Sequence, residues 1–280
     1  MIKSSALAFH ETFQPELGYI ASILQLASEN FSGSKYEISD CTGIPTGKNK
    51  GKVLPHIKYA SYMGLINYEV NNGVYSLGLT ELGRTVYDED AYLYEELSSW
   101  LCHYGMTKRK FGAPQWEYLV HDVNPGLGNQ FSQEKLYSLA STWCDATRKE
   151  MPIKVFSVVK GCYTEGCFSQ LNFLSWEDKS GMIEFQEHAA QQDLIFVYAY
   201  ALLDSWERLY GEQKEISEFD LKEGIGFDRI FGLNKDECDY VIESLSYEGI
   251  ISVNRQLYPM TLIRQASAES VIPKLYSRLL

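Results

Sequence analysis

The chain has 280 residues, a formal net charge of −12, and a composition that is 45% hydrophobic and 14% aromatic. That apolar content is ample for packed cores, and the length suggests two or three domains. An acidic chain of this kind does not coat nucleic acid nonspecifically, so any DNA contact has to come from a local basic patch.

Pro15 precedes a helical pattern with Leu17, Ile20, Leu24 and Ala27 on one face. After Gly33 comes a short segment, Tyr36 to Cys41, anchored by Ile38, and Gly43 marks a turn. A second helix carries Val53, Ile57 and Ala60 and ends at Gly64. Pro55 cannot sit deep inside a helix, so the regular helix is expected to begin near Val53 or Leu54. Ile66, Tyr68 and Val70 alternate, and Val74 to Leu79 can pair with them across Asn71-Asn72-Gly73. Asn-Gly favours a type I′ hairpin turn because both positions take positive φ. Thr80 then caps a short helix with Leu82 and Val86 inward. Helices and hairpin in this order read as a winged helix-turn-helix over residues 1–92.

Residues 93–211 read as a helical middle domain. Leu97, Trp100, Leu101 and Tyr104 share a helical face, and Ser132 opens a helix with Leu136, Leu139, Ala140 and Trp143 as its stripe. Residues 189–210 form a central core helix stopped by Gly211. Residues 212–280 read as a second winged-helix-like part. It has a short helix at Ser217 to Lys222, an amphipathic helix at Lys235 to Tyr247, and a hairpin of Ile250 to Val253 with Leu257 to Ile263. The acidic face of its longer helix (Asp236, Glu237, Asp239, Glu243) repels phosphate and favours a protein contact. The fold class expected is therefore mainly α, and no repeat of fixed period is visible.

Six cysteines are scattered with no CxxC pair, which excludes the usual zinc-site spacing and reads as reduced thiols. The longest apolar run, Leu194 to Leu203, is too short for a membrane span, and no cationic head precedes an apolar stretch at the N-terminus. A cytoplasmic location without a membrane partner is expected.

No acidic residue lies between Cys41 and Ile66, where Lys48, Asn49, Lys50, Lys52, His56 and Lys58 cluster on a loop and helix start. Lysines there neutralise phosphates, and Asn49 can reach a phosphate or an adenine edge. Lys108-Arg109-Lys110 extends the basic candidates. A nuclease needs oxygen ligands converging on Mg²⁺. The candidates are Glu11, Asp88 and Asp90 as ligands, with His10 and Glu11 as the catalytic pair. Each acidic group also fits a solvated surface or a helix cap. His10 and Glu11, between Phe9 and Phe13, also fit a staple holding the N-terminus to the body.

Five stretches, in chain order, carry a family resemblance. They are FHETFQPELGYI (9–20), GIPTGKNKGKVLPHIKYASYMGLI (43–66), LTELGRTVYDEDAYLYEELSSWLCHYGM (79–106), FSQEKL (131–136) and DRIFGLNKDE (228–237). They resemble the SspB-type components of bacterial single-stranded DNA phosphorothioation, a phage-defence system encoded beside PAPS-reductase-like enzymes. The sequence departs from that pattern around Lys50 to Pro55 and at Val120-His121-Asp122. The resemblance implies a Mg²⁺-dependent DNA nickase that opens the backbone where sulfur replaces a non-bridging oxygen. It also implies DNA, the PAPS-reductase-like enzyme and an ATPase as partners, and the chain admits a homodimer. Two further readings stand beside it: a winged-helix adaptor that binds DNA without cutting, and a transcriptional regulator.

Overall fold

The structure is a computed structural model that describes residues 7–144, 151–256 and 258–279. It is mainly helical, with three small antiparallel sheets. The N-terminal part runs α1 (Leu17–Ser28), β1 (Ser32–Ser34), α2 (Lys35–Thr42), α3 (Val53–Tyr62), β2 (Ile66–Asn71), β3 (Val74–Leu79) and α4 (Glu81–Asp90). The middle part runs α5 (Glu96–Thr107), α6 (Pro114–Tyr118), a π-helical segment Leu119–Val123, α7 (Asn124–Leu127), β4 (Gln130–Ser132) and α8 (Gln133–Trp143). It continues through α9 (Met151–Thr164), β5 (Leu174–Trp176), β6 (Met182–Phe185) and α10 (Ile195–Tyr210). The C-terminal part has β7 (Glu215–Ser217), a second π segment Asp220–Ile225, α11 (Phe227–Phe231) and α12 (Lys235–Tyr247). It closes with β8 (Ile251–Asn254), β9 (Thr261–Arg264) and α13 (Ala268–Val271).

Local signals account for most boundaries. Ser34 and Glu37 form a reciprocal capping box at the start of α2, and Gly43 ends it at φ +71°. Asn72 and Gly73 take φ +50° and +80°, which turns β2 into β3 with Asn71 opposite Val74. Thr80 accepts the Gly83 N–H and caps α4.

The middle region is not purely helical. The three sheets have the orders β1-β3-β2, β4-β6-β5 and β7-β9-β8, so one pattern occurs in each third of the chain. In each, a short first strand ends on a serine (Ser34, Ser132, Ser217) that bonds the backbone three residues on. The residue four positions after the serine (Ile38, Leu136, Leu221) is apolar and buried. The unequal spacing of these serines hides the repetition from a search for a fixed period.

Other expectations shift. Leu139 is 41% exposed, so the inward stripe of α8 narrows to Leu136 and Ala140, with Trp143 half-buried. Val70 is 51% exposed because the hairpin tip projects from the body. The central helix starts at Ile195, after a 3₁₀ turn, and every residue from Ile195 to Trp206 is buried. In the last hairpin the second strand begins at Thr261, and Leu257, expected within it, lies outside the described residues.

One buried apolar cluster runs through all three parts. Gly83 allows α4 to pack directly on the Leu65 backbone, because a Cβ there would lie 1.7 Å from the Leu65 carbonyl oxygen. Gly18, on α1, faces open space. We expect Gly83→Ala to destabilise the protein by about 3 kcal/mol. Gly18→Ala should stabilise it by about 0.5–1 kcal/mol. Urea denaturation of the two variants checks this, and similar shifts in both would contradict the packing assigned to α4.

Candidate nucleic-acid interface and metal-ligating residues

The lysines of the acid-free window that stay exposed sit on a loop, not on a helix. Thr46 and Gly51 bridge across its neck, and the Lys52 N–H donates to the Pro45 carbonyl at 2.8 Å. Gly51 is required there, since a Cβ would lie 2.4 Å from Thr46 Oγ1. The Lys35 ammonium donates to the carbonyls of Gly47 (2.7 Å) and Lys48 (3.3 Å) from below. This leaves Lys48, Asn49 and Lys50 exposed at a braced tip.

Helix α3, which should present the recognition face, is covered. The N-terminal strap crosses it, with the Tyr59 hydroxyl donating to the Phe13 carbonyl at 2.8 Å. The Phe9 ring packs on Tyr59 and Tyr62 at 5.0 and 4.9 Å. No residue of α3 is fully exposed. His56 is buried: its Nε2 accepts the Glu16 N–H at 3.0 Å and its Nδ1–H donates to the Lys52 carbonyl at 2.6 Å. Burial takes His56 out of the DNA-facing set. Lys52 is half-buried in an ion pair with Glu16 (2.6 Å), over the rings of Phe13 and Tyr19. Lys58 is half-buried on α3.

The second basic run is also dismantled by packing. Lys108 is 7% exposed, 3.7 Å from the Asp204 carboxylate, and burial lowers its pKa. It is a core ion-pair partner and not a phosphate contact. Arg109 donates to the Glu223 carbonyl at 2.9 Å, and only Lys110 is exposed.

The expected metal ligands do not meet. Asp90 is buried, and its carboxylate accepts the N–H groups of Tyr94 (3.0 Å) and Glu95 (2.9 Å) and the Ser98 hydroxyl (2.6 Å). It closes the turn into α5. Asp88 points to solvent, and Glu11 accepts the Gly51 N–H at 3.4 Å. Among the described residues no three His, Cys, Asp or Glu side chains are placed to hold a metal ion. The donor set Glu11, Asp88 and Asp90 therefore does not fit Mg²⁺.

His10 is buried beside Phe9, and its Nδ1 accepts the Thr12 N–H at 2.9 Å. Burial pushes its pKa down to about 4, so it is neutral at neutral pH. This is the chemistry of a staple holding the N-terminal strap. His103 and His121 are also buried, with pKa values lowered to about 3.

Sequence reasoning missed a second polar concentration. The two π segments meet where His121 and Arg229 both approach Gly226. π-Helical turns occur often at functional sites. Its one sequence signal is the departure at Val120-His121-Asp122.

Two outcomes follow. The folded pKa values of these histidines lie below the unfolded value near 6.5, so the unfolded state binds protons first as pH falls. Stability is full above about pH 6.5 and falls as pH drops toward about 4 for His10 and about 3 for His103 and His121, by on the order of 3 kcal/mol per group. His10→Asn, which keeps an acceptor for the Thr12 N–H, should flatten that decline in denaturation midpoints; an unchanged slope refutes it. Asp90→Ala should cost about 2–3 kcal/mol through the lost cap. Its measurement is the same denaturation series.

Comparisons place the whole arrangement. No curated protein sequence matches the chain significantly. Two solved structures share its fold: SspB with magnesium ion bound (TM-score 0.76) and SspB (TM-score 0.77). Each is 18% identical, and each alignment covers 97% of this chain and 88% of the other. Residues 7–161, more than half of the chain, match the family described as protein of unknown function, DUF4007. The chain belongs to the DUF4007 family.

Proposed function

We propose that this chain is a DNA-binding component of a phosphorothioation, phage-defence system of the SspB kind, acting as a Mg²⁺-dependent DNA nickase. The likeness to SspB across nearly its whole length supports that placement. The observation that carries DNA binding is the braced loop tip Lys48-Asn49-Lys50 on a strongly acidic body. In this reading residues 1–92 work as a winged helix-turn-helix that grips backbone and does not read bases. Residues 93–211 and 212–280 carry related modules. The protein acts in the cytoplasm beside a PAPS-reductase-like enzyme and an ATPase, as a monomer or homodimer.

The chain's own contribution is positional. Two ammonium groups on one short tip neutralise adjacent phosphates and release counterions. The negative charge elsewhere repels the duplex from other faces, so contact is confined to that tip. A divalent cation, when bound, would stabilise the negative charge that develops on the leaving oxygen of the cleaved phosphodiester. Its ligands have to be groups other than Glu11, Asp88 and Asp90. The same failure of those three to converge favours a second reading, a non-catalytic adaptor that binds DNA and delivers the modification enzymes.

Supercoiled plasmid separates the two. The nickase reading expects relaxed circles with Mg²⁺ and none with chelator; retained supercoils together with a gel shift leave the adaptor. The double variant Lys48→Glu, Lys50→Glu should weaken DNA binding by about tenfold or more. It should also reduce the salt slope of log affinity by about two. Unchanged affinity would remove the loop from the interface.

A further inference from the structure

The strap that crosses α3, residues 7–16, contains two acidic residues, and both meet the base of the lysine loop. The Glu16 carboxylate accepts from the Lys52 ammonium at 2.6 Å, and the Glu11 carboxylate accepts the Gly51 N–H at 3.4 Å. Gly51 and Lys52 directly follow Lys50 of the exposed tip. An ammonium and a backbone N–H are also what protein chains offer to the phosphates of DNA. The strap therefore sets carboxylate oxygens where a phosphate oxygen would find the same two donors.

The backbone is strained at this point. Glu11 takes φ +48° and Thr12 φ +77°. Positive φ is uncommon outside glycine, and for a β-branched residue such as threonine it is an outlier. Strain of this kind persists only where the surroundings over-determine it, and it clusters at clamps and switch segments. Here the surroundings are the Phe9 ring on Tyr59 and Tyr62, the Tyr59 hydroxyl on the Phe13 carbonyl, and His10 Nδ1 on the Thr12 N–H. The strained turn begins at the residue that reaches Gly51.

The contact to Lys52 is built for exchange. Its side chain is 28% exposed and that of Glu16 46%. A pair this open to water adds little to folding stability. Lys108, by contrast, is buried with Asp204, and no outside anion can take that place. The Glu16 backbone N–H is tied to His56 Nε2 at 3.0 Å, so only the Glu16 side chain has to move. The Lys52 ammonium also lies 5.7 and 5.4 Å from the ring centroids of Phe13 and Tyr19, which keep it in place when the carboxylate leaves.

We propose that the strap is an internal competitor for the DNA backbone: Glu16, assisted by Glu11, screens Lys52, which becomes a third phosphate contact beside Lys48 and Lys50 once the carboxylate gives way. Such competition rests on the DNA-binding reading proposed above and regulates that same site. One ion pair is exchanged for another, so the strap acts as a brake on affinity and does not block binding.

The test follows the fluorescence anisotropy of a short labelled DNA duplex titrated with the full chain over a salt series. It compares the parent, Glu16→Gln, Lys52→Gln and the double variant. Glu16→Gln should raise affinity about threefold or more and steepen the salt slope of log affinity by about one, the mark of one more phosphate neutralised. Glu212→Gln, on an exposed surface of the C-terminal part, measures the effect of merely removing a negative charge. In the Lys52→Gln background, Glu16→Gln should gain no more than Glu212→Gln does. A gain that persists without Lys52, or a gain no larger than that of Glu212→Gln, overturns the competition. Duplex binding that is still lost in Lys48→Glu, Lys50→Glu then leaves the DNA-binding reading standing. No binding by either the parent or Glu16→Gln removes both.

Discussion

The carboxylate of Asp204 anchors the crossing of the two buried helices of the middle part, against which elements of the N- and C-terminal parts pack. Helices α5 and α10 are buried over almost their whole length, and a helix apolar on all sides is stable only inside a larger core. Where they meet, Asp204 accepts the Tyr104 hydroxyl at 2.7 Å and the Arg208 Nε–H at 2.8 Å, with Lys108 at 3.7 Å. The Tyr104 hydroxyl also lies 2.9 Å from Ser205 Oγ. A carboxylate this deep is tolerated because its oxygens are shared among cations and hydroxyls. Removing one partner would leave charge stranded in the core, so Lys108 is committed to structure.

The same economy governs the histidines. All five are buried or half-buried, and those whose pKa values move are lowered by desolvation. Imidazole serves here as a neutral hydrogen-bonding plug: His56 joins the strap to α3, and His103 joins α5 to Tyr163 and to the Ile230 carbonyl.

Much of the N-terminal part was legible in the residues. The capping threonine Thr80, the Asn72-Gly73 turn and the i, i+4 apolar spacing are local features, and they act through local backbone geometry. The middle sheet was illegible for the opposite reason. Strands β4, β5 and β6 are three or four residues long and gain their meaning only by pairing across a long stretch of chain. The threefold recurrence of one sheet order was likewise hidden by unequal loops.

The sequence by itself determined where positive charge is concentrated: the window from Lys48 to Lys58 holds four lysines and no acidic residue. Tertiary structure decided which of those charges remain free. Packing of the strap over α3 buried His56 and paired Lys52, and the crossing of α5 with α10 consumed Lys108, leaving Lys48 and Lys50 on a braced tip. The carboxylates divided the same way, with Asp90 spent on a cap and Asp88 left in solvent. Burial and convergence are properties of surfaces far apart in the chain, so no spacing along it records them.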